Sequence, residues 1–201
     1  VRAQIFGALP IAEMKKRGWL PGVDNVKDVE TVEKAVAEFF GTDKVEDIEF
    51  LPHAARRTQV ALDASPLQLA WLHRVKAIAA DMLVSQYSDA SGQALLTRLR
   101  PLLGSAEEAR KVPRLLAEAG IRFVAVEALP GSKIDGACLW LSPAAPVIAM
   151  SFRFDRIDNF WFVLRHELEH VLQRHGLTKP ILDVDMDGRT DEDVVEEERV
   201  A

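Results

Sequence analysis

The chain has 201 residues, of which 48% are hydrophobic and 28% charged, enough for one domain with a packed core and a helical extension. Its net charge of −6 makes it a poor binder of nucleic acid by itself, because neutralising phosphates takes clustered Lys and Arg. The single cysteine, Cys138, excludes an internal disulfide and a cysteine-built zinc site. No apolar run reaches the ~20 residues of a membrane span and no signal peptide is visible, so the sequence predicts a cytoplasmic protein with no membrane partner.

In chain order, residues 1–60 read as a helical connector. Ile11 to Gly18 is a short basic helix ended by Gly18 and Pro21-Gly22. Asp28 caps a helix in which Val29, Val32, Val36 and Phe39 recur at helical spacing, stopping at Gly41. Residues 61–201 read as the main domain. Ser65-Pro66 starts a helix with the stripe Leu69, Leu72, Val75, Ala79 and Leu83, in which Trp71 and His73 serve packing or surface, as does Tyr87 beyond it. Gln93 to Leu103 is an amphipathic helix closed by Gly104, Ser105 to Glu108 a capping box, and Pro113 to Ala119 a further helix stopped by Gly120. Three short strands follow, at Ile121–Glu127, Ala137–Leu141 and Val147–Phe152. The predicted class is therefore α+β, mainly helical with a small three-stranded sheet.

Directly after the third strand, with Asp155 and Asp158 as candidate caps, an apolar run enters His166-Glu167-Leu168-Glu169-His170. This is H-E-x-x-H, the pattern of a zinc-binding helix. Residues four apart share a helix face, so His166 and His170 can converge on one ion. Glu167 lies about 100° round the helix, beside the metal, where a carboxylate can take a proton from water that the metal has made acidic. Phe160, Leu164, Leu168 and Val171 make a core face. Phe162 and Val163 fall on the histidine side and predict cover there too. Glu169, on the other flank, is the other candidate base, though it reads first as an outer partner or salt bridge.

A catalytic zinc takes three protein ligands. No H-x-x-G-x-x-H extension follows His170, and His175 falls on the core side of a continued helix, as a cap near its end. Asp183 to Gly188 matches the first half of an EF-hand loop, but the twelfth position is Val194 rather than Glu, so the stretch reads as an acidic loop before a helix capped by Thr190. On that helix Val194, Val195 and Ala201 define the apolar side, and Glu198 lies in its middle. A carboxylate on a buried face is costly unless paired or metal-bound, which makes Glu198 the predicted third ligand.

With these residues in place the chain resembles the ImmA/IrrE family of metallopeptidase-like domains. The resemblance rests on Phe160 to Leu164 entering the motif, the strand Val147 to Ser151 before it, and Glu198-Arg199-Val200-Ala201, which is similar to the start of the family's E-x-x-A-N-x-F-A helix. It departs at Glu169, where the family usually has a small residue. Leu9 to Trp19 is similar to the segment that follows an XRE-type helix-turn-helix in fusions of that module to such domains, some of them HigA-like antitoxins. The resemblance implies a zincin-like domain with zinc on His166, His170 and Glu198 and with Glu167 as base. It implies a zinc peptidase acting on a protein substrate such as a repressor or antitoxin. The strand before the motif helix would hold the peptide by edge pairing. The other expectation is a sensor or homodimerisation domain of a transcriptional regulator, touching DNA only through a module preceding Val1. Both ends are expected to be truncated.

Overall fold

The computed structural model describes residues 7–48, 64–154 and 156–186. The chain forms two compact units, one comprising Val1–Ala77 with Leu129–Ser132, the other Ile78–Ala128 with Lys133–Ala201. The fold is mixed α and β. Among the described residues no helix is long and apolar enough to cross a membrane.

The described residues of the first unit form helices. Helix α1 (Ile11–Lys16) is followed by Gly18 at φ 69°, a left-handed turn that glycine makes at little cost. Helix α2 (Val29–Phe39) has the expected cap, with the Asp28 side chain accepting from the Thr31 N–H. Its Phe39 ring stacks on Trp19 at 5.9 Å. Helix α3 (Pro66–Asp81) begins at the predicted Ser-Pro, and its Trp71 and Val75 are fully buried.

The second unit carries the candidate site. Helix α4 (Asp89–Leu99) starts four residues before the expected point, because Ser88 and Ser91 cap it reciprocally. It passes into a 3-10 turn, Arg100–Gly104. The capping box expected at Ser105 makes no side-chain cap. Helix α5 (Val112–Glu118) ends, as expected, at a left-handed Gly120.

Among the described residues the sheet has four strands rather than three: β1 (Arg122–Ala125), β2 (Ile134–Trp140), β3 (Pro146–Met150) and β4 (Ile181–Val184), in the order β1-β3-β2-β4. β1 runs parallel to β3, while β2 is antiparallel to both β3 and β4. This corrects one expectation. β3 is an inner strand, with backbone ladders on both sides, so it cannot take up a peptide by edge pairing. Helix α6 (Ile157–Leu172) carries the motif, and its Leu164, Leu168 and Val171 join Ile148, Leu95 and Leu116 in one core. Arg156, not an aspartate, is its N-cap; Asp158 lies in the first turn, paired with Arg156, and Asp155 falls outside the described residues.

The β2–β4 ladder is irregular between Ile134 and Gly136, and Asp135 sits at this bulge, 4% exposed. Its carboxylate accepts the Met186 N–H at 2.8 Å and faces Arg153 Nε at 3.2 Å. Arg153 also holds Asp185 at 2.9 Å, as does Lys133 at 2.7 Å. These charges fasten the end of β4 to β2 and β3. Arg153→Met is therefore expected to destabilise the protein by about 1.5–3 kcal/mol, the usual range for a hydrogen bond to a charged group. The check is a lower urea midpoint at unchanged slope.

Candidate metal centre

Helix geometry sets the arrangement of the motif. Val163, Glu167, Phe160, Val171, Leu164 and Leu168 follow one another round α6 at 100° per residue, and Glu167 lies inside that arc. Its side chain is accordingly inaccessible to solvent, whereas His166 and His170, at the border of the arc, keep side-chain exposures of 17% and 19%. The expected cover on the histidine side is half right. Val163 is buried, but Phe162 is 42% exposed and lines an open groove with Leu96, Leu103, Trp161, Arg100 and Arg165.

Two histidine nitrogens face each other, His166 Nε2 and His170 Nε2, at 3.1 Å. The third donor comes from β4. Asp183 Oδ1 is 3.2 Å from His166 Nε2, and Oδ2 is 3.6 Å from His170 Nε2. Ligands placed about 2.0–2.1 Å from a tetrahedral zinc stand about 3.3 Å apart; the His166–His170 separation and the His166–Oδ1 separation lie near that figure, while His170 is nearest the other carboxylate oxygen, at 3.6 Å. His166, His170 and Asp183 form the one cluster of potential metal ligands found among the described residues. Glu198 lies outside them, so the structure brings the two predicted histidines together with a carboxylate that sequence reasoning had assigned to a loop.

Unmatched acceptors also fit a cation. With both carboxyls ionised, Asp183 Oδ2 and both oxygens of Glu167 are buried without a hydrogen-bond partner, a state that costs free energy until a proton or a cation is supplied. Burial pushes the Glu167 carboxyl well above the usual carboxylate range, and the neighbouring Asp183 charge adds to the effect. Asp183 moves the other way. Burial would raise it, but the imidazole of His166 beside it holds it well below. Two carboxyls driven apart in this way divide into a charged one facing the histidines and a protonated one behind it.

Gly136 makes the arrangement possible. It pairs with Asp183 across the β2–β4 ladder, and Glu167 rests on its backbone so closely that a Cβ there would lie 2.1 Å from Oε1. Sequence reasoning missed both Gly136 and Asp183. For Asp183 the signal was the apolar Ile181-Leu182-x-Val184 around it, read as a loop because aspartates follow.

His175 is not on the core side. Helix α6 stops at Leu172, and the exposed ring of His175 returns to His170, with Nδ1 to Nδ1 at 3.0 Å. Comparison of the chain with protein-family models, curated proteins and solved structures gives no match.

Proposed function

We propose that this protein is a zinc-dependent peptidase with a zincin-like, ImmA/IrrE-type domain, cleaving a regulatory protein such as a repressor or antitoxin. The observation that carries the reading is the convergence of His166, His170 and the Asp183 carboxylate on one place, with the buried Glu167 alongside. Zinc, when bound there, supplies Lewis acidity toward a carbonyl oxygen and toward water. His166 and His170 would hold it through Nε2 and Asp183 through its carboxylate. Glu167, once the cation offsets its burial, takes a proton from the attacking water and returns it to the leaving amine nitrogen. The partial exposure of both histidines leaves the site open on the side a substrate must approach. Among the described residues β4 is an edge strand beside the site, so an extended peptide pairs there by strand addition.

The test is cleavage of the repressor or antitoxin encoded beside this chain by the zinc-loaded protein. Cleavage that survives in Glu167→Gln rejects the mechanism, and a wild-type protein that takes up no zinc on reconstitution rejects the metal. The third donor is settled separately. Asp183→Asn is expected to weaken zinc binding by more than the about 10–100-fold that loss of an outer partner costs, while Glu198→Gln binds as the wild type does. The reverse pattern would assign the third position to Glu198.

A further inference from the structure

We infer that His175 is a positioning residue of the metal centre: its Nδ1 accepts the Nδ1–H of His170 and so fixes the tautomer that directs His170 Nε2 at the metal. This rests on the metal reading proposed above. A neutral imidazole carries one proton on two nitrogens, and the partner of one nitrogen decides which form is present. When His170 Nδ1–H donates to His175 across the 3.0 Å contact, the lone pair is left on Nε2, the atom 3.1 Å from His166 Nε2; Asp183 Oδ2, 3.6 Å from the same nitrogen, draws a proton the other way, and the His175 contact tips the balance. In the opposite tautomer the proton would sit on Nε2 and block coordination.

The turn that delivers His175 is built in a way that its exposure does not explain. Continued as a helix, the chain would place residue 175 on the face opposite His166. Instead Arg174 adopts φ 57°, a left-handed conformation that costs a non-glycine residue about 1–2 kcal/mol. Such strain persists only where the surroundings impose it, and here they do. The His175 N–H donates to His170 O at 2.8 Å, closing the turn. The Arg174 guanidinium reaches Asp89 at 3.0 Å and the Pro143 carbonyl at 2.9 Å, and lies over the Trp140 ring. His175 O accepts from Trp140 Nε1 at 2.7 Å. Gly176 is left-handed too, and so close to β2 that a Cβ would meet Cys138 O at 2.6 Å. The ring held by this scaffold is exposed, so core packing is not what it gains. What it touches is His170, at 5.3 Å between ring centroids.

A helix-capping role would need only a polar or cationic group near the last carbonyls; the positioning role needs an acceptor at the place of Nδ1. Asparagine offers one there, through Oδ1, and phenylalanine does not. The experiment measures zinc affinity of the full chain by chelator competition for the wild type, His175→Asn and His175→Phe. It also measures the tautomer of His170 in the metal-free proteins by long-range proton–nitrogen NMR. The expected result is affinity near wild type for Asn and about 10–100-fold weaker for Phe, with the Nδ1–H form of His170 present in wild type and Asn and lost in Phe. Equal affinity in all three proteins overturns the inference, as does an Asn variant that falls as far as Phe. Should the wild type take up no zinc, the metal reading fails, and the NMR arm alone still decides whether His175 sets the tautomer.

Discussion

Glu167→Gln is expected to leave the protein folded and able to take up zinc while lowering any hydrolytic rate by about 10²–10⁴-fold, the usual contribution of a positioned acid–base group. The substitution preserves shape in a place with no room for change, between the core and the Gly136 backbone. It removes only the capacity to accept and return a proton. The same variant carries a second, independent signature in the metal-free state. Burial and the Asp183 charge raise the Glu167 carboxyl in the folded protein. Above the unfolded value of about 4.3 the unfolded chain has released this proton and the folded one still holds it. The native state then binds more protons than the unfolded state, so stability must fall as pH rises, by up to about 1.4 kcal/mol per pH unit, until the folded group also ionises. Glutamine has no such proton to lose. In chelator, urea midpoints of the wild type should therefore decline from pH 5 upward relative to those of Glu167→Gln, and the variant should be the more stable of the two at neutral pH. Parallel pH profiles would mean that Glu167 is not held protonated by its surroundings.

Gly136→Ala should be strongly damaging to the site. In an ordinary extended strand alanine is preferred over glycine by roughly 0.5–1 kcal/mol, and Gly136 is not among the left-handed glycines. The expected sign is nevertheless reversed. The new Cβ would lie 2.1 Å from Glu167 Oε1, 2.8 Å from Cδ and 3.0 Å from Cγ, so the carboxyl must leave its place. Overpacking of this kind costs about 1–3 kcal/mol, and the displaced group can no longer serve a metal centre. The pair is testable as a cycle. Shortening Glu167 to alanine makes room for the methyl, so Gly136→Ala should cost much less in the Glu167→Ala background. A coupling of at least about 1 kcal/mol between the two is expected for residues in direct contact. Additive effects on the unfolding free energy would overturn the claim that Gly136 is there to admit Glu167.

The parts of this architecture that were legible in the sequence are those whose cause is local. Asp28 caps α2, Ser65-Pro66 begins α3, Gly120 ends α5, and H-E-x-x-H puts two histidines on one side of α6, all by rules that act within a few residues. What escaped depends on partners distant along the chain. β4 is short, and only its pairing with β2 gives it a reason to be a strand; without that, Asp183-Val184-Asp185 has the composition of a loop. Gly136 carries no local signal, because its purpose lies in a glutamate brought over from another element. Phe162 was given cover by a wheel that knew its direction but not where the neighbouring layer ended. His175 was placed by extrapolating a helix past a residue, Arg174, that leaves it through a left-handed conformation nothing in its own chemistry favours.

The order in which the site comes together follows from its position at the margin of the sheet. The two histidines are neighbours as soon as α6 has formed a turn, which needs only local contacts. Asp183 stands on β4, whose register is set by β2, far back along the chain, so its arrival needs a long loop to close. A helix alone would offer two imidazoles and bind a divalent ion weakly. An ion held by all three groups would report that β4 has docked, and its binding energy would favour the finished fold over every partly assembled one.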